Sequence, residues 1–260
     1  MEGADESKFA KLRKFNIAMG TLHAIQGVIM LILSLSNKAS ADVYLTLWKY
    51  NDATRELYQQ TDVIGSLPLG PMVAMFLFAS AVAHFSVSSP QGYPWYVANL
   101  KKGINYARWL EYAVSSSIMV IVIAVLCGIT ELGALIVIFC LNATMNLFGL
   151  MMELHNQTTK KTNWTAFILG SFAGLMVWIT MGIYFFGSLL GSTDSIPTFV
   201  YAIFFILAIF FNIFALNMVL QYRAKGKWKD YLYGEKVYIV LSLSAKTALA
   251  WLVWGGTARF

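Results

Sequence analysis

The stretch VYIVLSLSAKTALAWLVW, residues 237–254, decides how this chain folds. It is long and apolar enough for one helical pass through hydrocarbon, where every backbone N–H and C=O must find its partner inside the segment. Near its middle stands Lys246. A lysine at mid-span costs about 2.5 to 3.5 kcal/mol on an insertion scale, so it marks either a structural ion pair or a functional group. Helical rise puts it about 15 Å from the nearer end of its span, too deep for the stem to carry its charge easily into water. A buried amine of this kind is suited to form a Schiff base with an aldehyde.

Six further runs have the same character, and the seven together cover residues 15–35, 67–87, 104–127, 132–152, 164–189, 199–220 and 237–257. Pro90, Gly92, Pro94, Gly128, Gly191, Pro197, Gly226 and Gly234 punctuate the connections. The predicted fold is an all-α membrane protein, a seven-helix bundle forming one domain over 1–260. The long connection 36–66 alternates Val43, Leu45 and Leu47 and carries Asp42, Asp52, Glu56 and Asp62, which predicts a short strand or hairpin in water. Composition agrees. Hydrophobic residues make up 58% of the chain and charged residues 12%, less than half the roughly 25% charge share of an ordinary soluble domain. The net charge of +6 therefore reflects membrane topology rather than a nucleic-acid surface. Cys127 and Cys140, the only cysteines, lie in apolar runs and read as small hydrophobes. The opening MEGADESKFAKLRKFN lacks the pattern of a cleavable signal peptide.

Lysine and arginine accumulate in short cytoplasmic loops. One set of alternate segments holds fourteen of the 19 basic residues: Lys8, Lys11, Arg13, Lys14, Lys101, Lys102, Arg108, Lys160, Lys161, Arg223, Lys225, Lys227, Lys229 and Lys236. The opposite set holds Lys38, Lys49, Arg55 and Arg259, and the remaining one is Lys246. This split predicts a multi-pass cell-membrane protein with a cytoplasmic N-terminus, an extracellular C-terminus and an extracellular 36–66 loop.

Of the 13 acidic residues, twelve fall in tails, loops or span ends by this reading, and Glu111 is the thirteenth. It lies about 10 Å along the third span, level with the backward-tilted Lys246 side chain, which predicts an ion pair. Ser115 and Ser242 each stand four residues from one of the two charges and share its helix face. Their hydroxyls either bond that pair or bond their own backbone. His23 and His84 fall in the first two spans, with Ser80 one turn before His84. They form either satisfied neutral core histidines or a proton-accepting cluster. Three histidines and distant cysteines predict no metal site. Trp178, Phe211 and Phe214 have the depth to line a mid-membrane pocket or to be plain core. The run YRAKGKWKDYLYGEK reads as a solvated loop facing lipid headgroups.

Seven spans, a lysine in the last and a carboxylate in the third resemble microbial rhodopsins. The chain departs from the pumping type in lacking a second carboxylate beyond Glu111, in lacking a Trp and Pro pair in the sixth span, and in its inverted N-terminus. The strings RWLEYAVSSSIMV, LNATM and QYRAKGKWKDYLYGEKVYIVLSLSAKTALAW, with His23 and His84, resemble heliorhodopsins over nearly the whole chain. The resemblance implies all-trans retinal on Lys246 as a protonated Schiff base and Glu111 as its counterion. It implies that Ser80, Ser242 and Tyr112 surround that region, and that His23 and His84 belong to a cytoplasmic-side cavity receiving the proton in the light. Asn142, Met145, Trp178 and Phe211 are implied to touch the polyene or ring. A homodimer, a slow photocycle and a sensory, non-enzymatic role with an unidentified cytoplasmic signalling partner are implied as well. Two other classes remain open: a light-driven or light-gated proton transporter, and a membrane enzyme or ligand receptor without retinal in which Lys246 and Glu111 are only an ion pair.

Overall fold

The computed structural model describes residues 2–191 and 196–258; Arg259, counted on the extracellular side, lies outside them. Helix α1 (Glu2–Ser36) leads into a hairpin of β1 (Ser40–Asn51) and β2 (Glu56–Pro68). There follow α2 (Leu69–Ser88), a short α3 (Gly92–Leu100), α4 (Tyr106–Leu126), α5 (Leu132–His155), α6 (Thr165–Gly191), α7 (Thr198–Tyr222) and α8 (Tyr231–Thr257). Seven helices, all but α3, are long and apolar enough to cross a membrane. Their outward residues are themselves apolar, as with Ile25, Ile32 and Leu35 of α1 and Ile168, Phe172 and Ile183 of α6, all exposed. An apolar exterior of this extent is stable against lipid and not against water.

The helices form a ring in which α1 packs on α2, α2 on α4, α4 on α5, α5 on α6 and α7 on α8, and α8 closes back on α1 and α2. Aromatic contacts of Trp178 and Phe185 with Phe204 join α6 to α7. Helix α4 is the most enclosed: every residue of the run IMVIVIAV from Ile118 to Val125 is buried, as expected of a helix that is apolar all round. On α1 the buried positions Leu12, Asn16, Gly20, His23, Gly27 and Met30 follow steps of three and four, so one face carries Asn16 and His23 inward.

The 36–66 loop is a two-stranded antiparallel hairpin pairing Ser40 with Pro68 through Asn51 with Glu56, with a bulge at Val43/Tyr44. It closes the end of the bundle opposite the α1 N-terminus, where Tyr44 N donates to Thr130 O at 2.9 Å. In the α4–α5 connection Gly128 takes φ +92°, a conformation costly for a side-chain-bearing residue. Beside it Cys127 is buried, whereas Cys140 is exposed on the outer face of α5.

Two expectations need correction. Residues 92–100, read as a connection, form α3; Pro94 is in its first turn, where no helical N–H is required, and Tyr96 and Leu100 are buried. Helix α8 starts six residues before the expected 237, because Asp230 caps it by accepting from Leu232 N at 3.0 Å. That extension brings Glu235 into the helix.

Candidate functional site

Three helices, α2, α4 and α8, bring polar residues to a common point. Lys246 on α8 donates from Nζ to Glu111 Oε1 on α4 at 3.1 Å and to Ser242 Oγ at 2.9 Å. The two side chains are 3% and 8% exposed. Ser80 on α2 donates to the same Glu111 oxygen at 2.6 Å. Tyr112 places its ring 5.2 Å from Lys246 Nζ and donates its hydroxyl to Tyr238 O at 3.0 Å. Ser115 is buried beside these groups, but its hydroxyl has no hydrogen-bond partner among the described residues. Helical spacing explains the convergence, since residues 108, 111 and 115 of α4 and 235, 238, 242 and 246 of α8 each form one inward stripe.

From α1 and α2, His23 and His84 stack with ring centroids 5.6 Å apart. His84 Nδ1 donates to Asn16 Oδ1 at 2.7 Å, which leaves Nε2 as the acceptor of the neutral ring. His23 is fully buried and neither ring nitrogen has a partner among the described residues. A polar cavity is walled by Ser80, His84, Glu111 and Ser242 at one end and by Tyr96, Asn105, Arg108 and Glu235 at the other.

On the other side of Lys246 lies a larger cavity of about 130 Å³ with almost wholly apolar walls: Trp109, Tyr112, Met119, Met145, Phe167, Phe211, Phe214 and Tyr238, with Ser116, Asn146 and Ser171 among the few polar groups. An apolar space with one amine in its wall fits an apolar aldehyde bound covalently, and retinal is such a molecule. Gly149 completes the wall. A Cβ there would stand 2.3 to 2.6 Å from three ring atoms of Trp109. Gly149→Ala is therefore expected to displace Trp109 and to destabilise the protein by about 1–3 kcal/mol, read as a lower thermal midpoint; an unchanged midpoint would show that the ring yields freely.

Met145, Phe211 and Phe214 line this cavity, but Trp178 and Asn142 do not. Trp178 stands seven residues beyond Ser171, about 10 Å further along α6, and packs instead on Phe204 and Phe211. Asn142 turns toward α4 and donates to Ser116 and Ser117 at 2.8 and 3.0 Å, leaving Asn146 one turn on to face the cavity. The expected placement of the charged residues also needs correction. Glu153 and Glu235, read as span-end residues, are each 1% exposed, and Arg108, counted with the cytoplasmic basic residues, is 7% exposed. Arg108 ion-pairs with both glutamates, so Lys246 is not the bundle's lone buried cation.

Similarity to solved structures agrees with the fold. Cyanorhodopsin from the cyanobacterium Tolypothrix sp. superposes with a TM-score of 0.64 at 10% identity over 94% of this chain and 93% of its own. The transmembrane domain and linker of the Salpingoeca rosetta rhodopsin phosphodiesterase gives a TM-score of 0.66 at 15% identity, over 100% of this chain and 76% of its own. No curated protein matches the sequence. The family model described as Heliorhodopsin matches residues 12–258. With that match spanning nearly all of a seven-helix bundle whose one mid-span lysine faces an aromatic cavity, the chain belongs to the heliorhodopsin family of retinal photoreceptors.

Proposed function

We propose that this protein is a light sensor rather than a transporter or an enzyme, with all-trans retinal held on Lys246 and Glu111 as counterion. The observation that carries the reading is Lys246 Nζ, buried between the apolar cavity and the carboxylate 3.1 Å away. Retinal, bound through its aldehyde carbon as a protonated Schiff base, supplies light absorption and isomerisation. The chain's own residues do the rest. Phe211, Phe214, Trp109 and Tyr238 exclude water and confine the polyene, while Glu111, fixed by Ser80, balances the charge on the Lys246 nitrogen. His84 Nε2 and the unpartnered nitrogens of His23 offer sites for the proton released in the light. The same reading includes a homodimer and an unidentified signalling partner on the cytoplasmic side. Protein expressed with retinal should develop a visible band that hydroxylamine bleaches; the absence of any band would sink the proposal.

Net ion pumping is not expected. A pump needs a relay of titratable groups on both sides of the nitrogen. Away from the histidines the path meets a layer of Asn142, Asn146, Ser116 and Ser117, and then the fully apolar run from Ile118 to Val125. A proton leaving Lys246 finds its acceptors on the His23 side and returns by the same route. A sustained uncoupler-sensitive pH change in an illuminated suspension, absent in Lys246→Ala, would move the transport reading into first place.

The orientation that goes with this reading is cytoplasmic for the α1 N-terminus. A tag there should be shielded from impermeant reagents in intact cells and one after Phe260 should be labelled. The reverse pattern would put the histidine cavity on the outside.

A further inference from the structure

Three charged side chains that the retinal reading leaves unused meet at the end of the polar cavity away from Lys246. Arg108 of α4 pairs through Nη1 with Glu235 Oε1 on α8 and through Nη2 with Glu153 Oε1 on α5. The side chains are 5%, 1% and 1% exposed in that order. The second oxygen of each glutamate is held by Asn105, whose backbone N donates to Glu153 Oε2 at 2.8 Å and whose Nδ2 donates to Glu235 Oε2 at 2.6 Å. Tyr231 OH approaches Glu153 Oε1 at 3.4 Å.

The charges do not balance. Among the described residues Arg108 is the only cation paired with either glutamate. Among the described residues the other titratable groups close to the cluster are tyrosines, Tyr96 from α3, Tyr112 from α4, Tyr222 from α7, and Tyr231 and Tyr238 from α8, while Glu111 and His84 stand at the far end of the same cavity. Burial, and after it the charge of Glu235, pushes the Tyr96 hydroxyl above its usual range, so Tyr96 supplies hydrogen bonds and no charge. Two ionised carboxylates on one guanidinium would leave a net negative charge in a buried site, which is strongly unfavourable unless a proton neutralises it.

We propose that Glu153 and Glu235 hold one proton between them, so that the Arg108 cluster is a proton-binding site. The cavity that begins at Glu111 and His84 ends on Asn105, Arg108 and Glu235, so this site shares one polar space with the proposed retinal linkage. The proposal does not depend on retinal, because the imbalance belongs to the chain alone.

The test is infrared spectroscopy of the retinal-free protein, with Lys246 and Glu111 intact, in a detergent without ester carbonyls. At pH 7 a carboxylic-acid C=O band that shifts in D2O is expected. Each single substitution, Glu153→Gln or Glu235→Gln, should abolish it completely, because the remaining carboxylate then matches Arg108 one to one and needs no proton. A band missing from the unsubstituted protein, or surviving in either variant, overturns the proposal. Carbon-13 NMR of glutamate-labelled, unsubstituted protein tests the same proton without relying on a variant that folds. One protonated glutamate carboxyl beside ionised ones is expected at pH 7, and only ionised ones would overturn it.

Discussion

Lys246→Ala is expected to give a protein without a visible band. No other lysine lines the apolar cavity, so no second amine can take up an aldehyde there. The substitution also strands Glu111, which keeps Ser80 as a donor but loses its cation. Breaking a buried pair by removing one partner costs about 3–5 kcal/mol. The single variant should therefore be both colourless and less stable. Lys246→Ala combined with Glu111→Gln removes both charges and should recover much of that stability while remaining colourless. Absorption before and after hydroxylamine, with thermal midpoints, separates the two effects. A coloured, hydroxylamine-sensitive single variant would refute the assignment of Lys246.

Glu111→Gln is expected to shift the band to longer wavelength by tens of nanometres. In the ground state positive charge is concentrated at the nitrogen, and excitation moves it toward the far end of the polyene. A carboxylate 3.1 Å from the nitrogen stabilises the ground state more than the excited state. The lost difference is on the order of a few kcal/mol in an environment of intermediate dielectric. Glutamine keeps the size and can still accept from Ser80, so the shift isolates charge from shape. An unmoved band, or a shift to shorter wavelength with the nitrogen still protonated, would place the counterion elsewhere.

The two cavities divide the labour. The apolar one is walled mainly by α4 to α8 and suits a rigid hydrophobic ligand, whereas the polar one gathers residues of α1 to α4 and α8 and suits proton exchange. Lys246 and Ser242 stand at their junction, and α4 contributes to both through Tyr112. Glu111 and Ser80 are hydrogen-bonded at that junction, and the Arg108 cluster lies at the far end of the polar cavity.

Hydropathy alone determined the seven spans, because a chain in hydrocarbon must satisfy its backbone within each segment. Helical rise from the span ends was enough to put Lys246 and Glu111 at one level, and a 3.1 Å ion pair joins them. The hairpin was legible from alternation, although neither its register nor the docking of Tyr44 on Thr130 was. Other features needed the tertiary structure. Arg108, Glu153 and Glu235 look like ordinary span-end charges, since hydropathy windows discard charges and so trim the helices short of them. Their inward direction was available as a periodicity, 142, 146, 149, 153 on α5 and 235, 238, 242, 246 on α8, but only once the helices were extended to His155 and Tyr231. Depth left Trp178 open between pocket and core, and packing gave the place in the pocket to Phe167 and Ser171, which lie nearer the α6 N-terminus. Depth is a one-dimensional property that the sequence carries. Which face meets which neighbour depends on how seven helices rotate and cross, and only their packing decides it.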